Sequence, residues 1–530
     1  MLQHLLYRGM LKLLLIAIAP IALSTNIHAN PWLDAGDMRL RHNLQILSDA
    51  GFLKAPLTTW PLSAEDIRSQ LRQPVKNEIL PPAVQSALPY VNPVLRKSIS
   101  RTSFKIGGDI RSEALLIRDF SGEGREKSQI YVDGKWNTPS FDIRAKITAA
   151  QQDKVTQYLF SDYIVDETHA SILATKYNVV HPNNSVLRLD ESYISSELGN
   201  WKITAGQQSR WWGPAWDGSM ILSNNARPIP SISLENINSE AFENKYLQWI
   251  GPNKFHMFVG LLESDREISS PKLFGFRFNF KPKSFKNFEV GLSRTLMWGG
   301  EDRDESFSGL VDSLFLLNSN QKEDRLLGNT LASVDMRWRV PLNNTKNAYT
   351  LYGQYLIEDT ADGSIFGGNE NLQLGASVSG FSKRLNGSWR TYMELADTSS
   401  GVFSGEDRNN TTYNHEFYLD GYRHLGASMG HSIDSDSTMF SLGGILSKNN
   451  GDFYRVWLKT AELDLLKTRD HQNPISGENG KKWTVLGGSY ETQLPKRNRA
   501  NLSLQLNSEK ELEKDRNLTA AISVGIVHNF

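Results

Sequence analysis

Apolar and polar residues alternate with a period of two along most of this chain, beginning near residue 101. Ile143, Ala145 and Ile147 alternate with Asp142, Arg144 and Lys146. Phe274, Phe276, Phe278 and Phe280 alternate with Gly275, Arg277 and Asn279. Val334, Met336 and Trp338 alternate with Asp335, Arg337 and Arg339. Successive side chains of a strand point to opposite faces, so each segment predicts a strand with one apolar and one polar face. Turn-rich stretches separate them, at residues 121–127, 301–305, 362–369 and 399–410. A soluble sandwich would alternate too. Two features favour a membrane barrel: the apolar rows are rich in Phe, Trp and Met over very many strands, and the polar rows carry both signs of charge, as a wet lumen would. Residues 101–530 at about ten residues per strand hold roughly 16 to 18 strands. A barrel of that size encloses water unless something fills it.

The last strand sharpens this picture. Ile522, Val524, Ile526, His528 and Phe530 alternate with Ala521, Ser523, Gly525 and Asn529. It resembles the terminal strand that outer-membrane insertion machinery recognises, with Phe530 as the signal. His528 stands where an apolar residue is commoner.

Before residue 101 the period changes. Leu40, Leu44 and Leu47 share one helix face, and Gly51 is a stop. Ser63 caps a second helix, with Glu65 and Asp66 in its first turn and Ile67 and Leu71 on its apolar face. Pro74, Pro81, Pro82, Pro89 and Pro93 are expected to break the rest into short pieces. Residues 30–98 therefore read as a small helical bundle packing on a barrel of residues 99–530. Residues 1–29 read as a secretory signal peptide. Arg8 and Lys12 precede an apolar stretch from Leu13 to Leu23, too short to span a membrane, and Ala29 offers a cut site.

Composition removes several classes. Lys plus Arg and Asp plus Glu number 58 each, without the basic excess a nucleic-acid binder needs. No cysteine is present, which excludes disulfides, thiolate chemistry and lipoprotein anchoring. Mean hydropathy is −0.41, too polar for a helical membrane protein but not for a barrel. No GxSxG, HExxH or phosphate-loop motif occurs, and no catalytic residue, cofactor or metal is assigned. His424 and His431 lie near Asp434 and Asp436 but fit no ligand spacing, so they read first as hydrogen-bonded loop structure.

One segment stands out. Arg210, Trp211, Trp212, Trp216 and Asp217 cluster around Gly213 and Pro214, and Asn224, Asn225 and Arg227 follow. Adjacent Trp211 and Trp212 cannot share a strand face, and Gly-Pro favours a bend after them. Tryptophan faces stack on the C–H faces of sugar rings, while Asn, Arg and Asp hydrogen-bond hydroxyls, so the chemistry suits a carbohydrate. The bland alternative is bracing of an in-folded loop.

These segments resemble the capsule-assembly Wzi family. The likeness is carried by Asp37 to Arg41, Leu47 to Gly51, Thr58 to Ser63, Arg210 to Gly218 and Ser223 to Pro228. Tyr422, Arg423 and His424, Gly430 and His431, and Asp434 to Ser437 complete it. It implies a barrel of about 18 antiparallel strands in the outer membrane, with a helical bundle at its periplasmic end. It also implies a lectin-like role, holding exported capsular polysaccharide or exopolysaccharide at the cell surface. The partners expected are that polysaccharide, outer-membrane lipid and the insertion machinery, with no nucleic acid. Carbohydrate contact is expected at the Arg210–Arg227 segment and secondarily at Tyr422, Arg423, His431, Asp434 and Asp436. The competing readings are a passive channel for small solutes and, further off, a glycan-modifying enzyme.

Overall fold

The computed structural model describes residues 31–72, 80–151, 156–166, 169–180, 185–306, 308–311, 328–342, 347–358, 369–400, 411–415, 417–464, 473–476, 480–511 and 516–530, with backbone alone for 156–180 and residue 511. The expected signal peptide, residues 1–29, lies outside them, as do parts of several long loops.

The wall is a closed antiparallel barrel. In chain order its strands are β1 (Thr102–Arg111), β2 (Ser128–Asn137), β3 (Asp142–Gln151), β4 (Ser185–Arg188 and Tyr193–Leu198), β5 (Trp201–Gln207), β6 (Pro230–Asn236), β7 (Asn253–Leu261), β8 (Lys272–Phe280) and β9 (Phe288–Trp298). They continue as β10 (Asn329–Val340), β11 (Ala348–Glu358), β12 (Asn369–Ser382), β13 (Gly387–Asp397), β14 (Ser437–Lys448), β15 (Phe453–Leu463), β16 (Lys481–Leu494), β17 (Asn498–Glu511) and β18 (Asn517–Asn529). Both halves of β4 pair with β3, so the 19 sheet segments make 18 strands. β18 closes on β1, with Ile526 opposite Gly108. Phe530 packs on Phe104 of β1 at 5.0 Å and His528 edge-on against Phe530 at 4.5 Å. His528 keeps its place by sharing a hydrogen bond with Asn498 at 2.8 Å.

Alternation is realised as a lipid-facing and a lumen-facing set. Leu502, Leu504 and Leu506 of β17 and Ile522, Val524 and Ile526 of β18 lie open on the outside. Their neighbours Gln505, Asn507 and Ser523 turn inward and are buried. An apolar exterior over a closed ladder leaves no unpaired strand edge in lipid, and this is what lets strands cross a membrane. No helix among the described residues is long and apolar enough to do so.

The inward face is not the wet lumen its charges suggested. Arg277 is fully buried between Asp335 (2.6 and 3.0 Å), Ser293 and Thr59. Arg390 and Arg337 both reach Asp49. A filled interior tolerates these charges because each is paired and hydrogen-bonded.

The filling begins with the N-terminal segment. Helix α1 (Met38–Asp49) starts at Asp37, whose carboxylate accepts from Leu40 N at 2.8 Å. Leu40, Leu44 and Leu47 pack inward, yet Arg39, Arg41, His42 and Asn43 on the opposite side are buried too. The helix sits inside the short-turn end of the barrel, where Arg39 donates to Ser447 on β14 and His42 contacts Ser388 on β13. Helix α2 (Ala64–Leu71) is capped by Ser63, which accepts from Asp66 N at 3.0 Å.

Helix α3 (Pro82–Ser98) corrects an expectation: Pro89 and Pro93 lie inside one continuous helix instead of breaking it. Both are exposed, while Val84, Ala87, Val91 and Leu95 face the core. The carbonyls that the proline rings displace therefore turn toward solvent and not into protein.

Candidate functional site

Two long connections fold into the barrel and meet the N-terminal segment there. The first, residues 208–229 between β5 and β6, carries the tryptophans. Trp211 and Trp212 form a short antiparallel pairing with Trp60 and Thr59, and Gly213 N donates to Thr58 O at 2.9 Å. Two sequence blocks far apart in the chain are thus joined. The Thr58–Ser63 block is itself held by Glu289 on β9, which accepts from Leu57 N, Thr58 N and the Thr58 hydroxyl.

All three tryptophans are buried, with at most 1% of their surface exposed. Arg41 of α1 lies over Phe120 (4.4 Å), Trp216 (4.5 Å) and Trp211 (5.4 Å), and donates to the carbonyls of Pro214 (2.9 Å) and Ala215 (2.7 Å). A guanidinium sandwiched by rings and donating through one nitrogen to two carbonyls is a strong lock in a dry site. Trp216 stacks on Tyr392 at 5.8 Å, with Arg390 at 5.2 Å. Trp212 packs edge-on against His256 and Phe258.

A second lock is electrostatic. Glu394 on β13 accepts from Trp216 N (2.7 Å), Asp217 N (3.0 Å) and the Tyr352 hydroxyl (2.7 Å). Asp217 pairs with Lys459 on β15 at 2.9 Å. Gly218 lets the backbone pass close to His431, whose Nε2 would lie 2.0 Å from a Cβ there.

The remaining residues of this segment also bond within the protein. Arg210 donates to His256 and Ser231 and lies over Phe258. Asn224 donates to Phe120 O and Asn225 to Ser428 O. Arg227 is partly open and makes a two-pronged pair with Asp190 at 2.8 and 2.9 Å. In this arrangement the ring faces expected to stack on sugar are covered by Arg41, Phe120, Tyr392 and neighbouring side chains.

The second inward connection joins β13 to β14. Tyr422 donates to Ile221 O at 2.8 Å and stacks on Tyr413, and Asn225 reaches Ser428 O across the gap between the two loops. Arg423 pairs with Asp434, His424 with Glu263, and Asp436 N donates to Thr398 O. The histidines and aspartates of this stretch therefore bond to separate partners, and no cluster with metal-holding spacing occurs among the described residues.

Burial holds His431 down at about 4, with Asp217 pulling it up and Lys459 pushing it down. His42 is likewise held well below its ordinary value by burial and by Arg390. The folded plug refuses protons that the unfolded chain accepts below about pH 6.5. Its stability is therefore complete above that pH and declines as pH falls toward about 4. Thermal melts followed by tryptophan fluorescence are expected to show a lower midpoint at about pH 4.5 than at about pH 7. His431→Gln should flatten that difference, and an unchanged slope would remove His431 from the account.

At the long-loop end the side chains open out. A small cavity of about 20 Å³ is bounded by Gln208, Ser209, Ser223, Arg227, Phe258 and Met429, among others. Arg125 lies beside it, donating to Asn224 O and Asn225 O. Arg118, Arg125 and Arg188 each keep a buried guanidinium nitrogen without a hydrogen-bond partner. Sequence reasoning passed over these arginines, and over Arg41, Glu394 and Lys459. The available signal for the strand residues was weak: a charge on an inward strand position looks the same whether it faces water or a plug.

The model of the family described as capsule assembly protein Wzi matches residues 96–529. A Klebsiella pneumoniae protein described as an uncharacterized 55.8 kDa protein in the cps region is 25% identical over 359 residues. That match covers 66% of this chain and 63% of the relative's own length. The solved Escherichia coli Wzi, described as an outer membrane protein involved in group 1 capsule assembly and a carbohydrate-binding β-barrel, is 21% identical. It superposes at a TM-score of 0.75, covering 96% of this chain and all (100%) of the other. OccD3 of Pseudomonas aeruginosa is 10% identical over 81% of this chain and 91% of its own. Its TM-score of 0.40 is too low to inform the reading. With 18 strands, an apolar outer wall and a family match over most of its length, the chain belongs to the capsule assembly protein Wzi family.

Proposed function

We propose that this protein is a non-enzymatic outer-membrane barrel that binds exported capsular or other surface polysaccharide and holds it at the cell surface, with residues 30–98 as a bundle at the periplasmic end. One observation carries this over the channel reading: α1 and two inward loops occupy the lumen, bonded to one another and to the wall. A pore for solutes needs a water path, whereas a tether needs a rigid platform under its outer loops. Family membership and the carbohydrate-binding description of the Escherichia coli protein point the same way. Phe530 and the strand it ends serve as the insertion signal in this reading.

Within it, Trp211, Trp212 and Trp216 position the loop, and contact with the polymer falls to groups around the outer cavity. There, Arg227 lines the cavity, is partly open and has guanidinium donors to offer sugar oxygens. Each contact is weak, but one polymer meets many barrels, so retention multiplies.

The test is the partition of surface polysaccharide between cells and supernatant in a parent and a deletion strain. Polymer moving to the supernatant at constant total supports tethering; an unchanged partition defeats it. Arg227→Ala is expected to weaken binding of purified polymer to the purified barrel by about tenfold, the scale of one charge-assisted hydrogen bond. Equal binding would take Arg227 out of the site.

A further inference from the structure

Arg294 sits on the wrong side of the wall for a charge. On β9 it shares the outward face with Phe288, Val290 and Leu292, while Glu289, Gly291, Ser293 and Thr295 turn inward. Its ladder neighbours are Phe276 on β8 and Ala332 on β10. Other outward charges, such as Lys272, Glu370, Glu462, Lys482 and Lys510, lie within two residues of a strand end. Arg294 lies four residues inside the Trp298 end, roughly 10 Å below the ladder's rim at ~3.3 Å per residue and ~40° of tilt.

The guanidinium makes no hydrogen bond or ion pair with the described residues, and its Nε is buried without a partner. An unpaired arginine on a lipid face is costly unless it reaches a headgroup. Ala332, the small residue beside it, leaves room for the long side chain to turn upward. Above, Leu310 of the β9–β10 connection packs with Leu296 and Trp298, and Lys272 pairs with Glu305 at 2.6 Å. Together they form a protein ledge over the wall. Arg294 therefore stands beneath an overhang on the long-loop side, where no acid among the described residues reaches it and the surrounding leaflet can supply an anion.

We propose that Arg294 anchors a lipid-phosphate site on the barrel's outer wall, taking a phosphate of the phosphorylated glycolipid in the outer leaflet. This rests on the outer-membrane orientation proposed above. Arg294 would donate to phosphate oxygens in a charge-assisted contact that no described protein group offers there.

The full-length protein in detergent is to be mixed with bisphosphorylated lipid A, its dephosphorylated form or phosphatidylglycerol, and bound lipid counted by native mass spectrometry. The bisphosphorylated form is expected to bind at least about fivefold better than the other two, the scale of one basic side chain at a lipid surface. Arg294→Gln should lose that preference and Arg294→Lys keep most of it. Equal binding of the dephosphorylated lipid, or an unchanged preference in the Gln variant, overturns the site. A preference for phosphatidylglycerol overturns its assignment to the outer leaflet. If the Gln variant does not fold, the lipid series on the unaltered protein still decides. Polysaccharide partition in the Arg294→Gln strain should stay unchanged, which separates failure of this site from failure of the tethering reading.

Discussion

Trp216→Ala is expected to unlock the inward loop while leaving the barrel wall intact. The indole stacks on Tyr392 and supports the guanidiniums of Arg41 and Arg390. Truncation leaves a cavity in a fully buried site, at a cost of about 3–5 kcal/mol. The two arginines also lose a ring face apiece. The wall persists because its ladder bonds do not pass through Trp216. Hydrogen exchange at residues 213–220 should rise by orders of magnitude, and the variant should conduct more than the unaltered protein in a planar bilayer. Protection and conductance equal to the parent's would show that the aromatic lock does not hold the loop.

Glu394→Leu should have a comparable effect through different physics. Its carboxylate is the acceptor for two backbone N–H groups and one phenol. Removing it strands three donors in a dry interior, at about 1–3 kcal/mol each. Glu394→Gln keeps an acceptor oxygen and should be markedly milder. That contrast separates lost hydrogen bonding from lost packing, since both variants retain bulk. Trp216 and Glu394 act on the same turn, so the double variant should cost less than the sum of the singles. Full additivity, or a leucine variant as closed as the parent, would dissociate Glu394 from the lock.

These two locks explain why so many charges line a barrel that is not an open pore. Arg277 with Asp335, Asp49 with Arg337 and Arg390, and Lys459 with Asp217 each join the plug to the wall or neighbouring strands to each other. Breaking one partner of such a buried pair is more damaging than the pair's net worth, because the other charge is left behind.

Much of the architecture could be read along the chain. The period-two rows of Phe274–Phe280 and Ile522–Ile526 report their environment directly, because one face must satisfy lipid and the other must not. The Leu40, Leu44 and Leu47 spacing marked α1 for the same reason. The Arg210–Asp217 segment stands out by composition, and the residue types fit both competing roles, bracing ahead of sugar contact. What decided where those side chains lie was the company they keep. Trp211 meets Trp60 across 150 intervening residues, Trp216 meets Tyr392, and Arg41 meets Phe120, Trp211 and Trp216.

By itself, then, the sequence determined the local and periodic features: strands, their lipid-facing sides, the first helices and the terminal strand. These depend on residues two to four positions apart, whose geometry the backbone imposes. Only the tertiary structure decided that the lumen is filled, that the tryptophans are buried in the plug, and that Arg294 faces outward without a partner among the described residues. Each of these depends on which distant segment, or none, arrives opposite a side chain, and no periodicity along the chain encodes that.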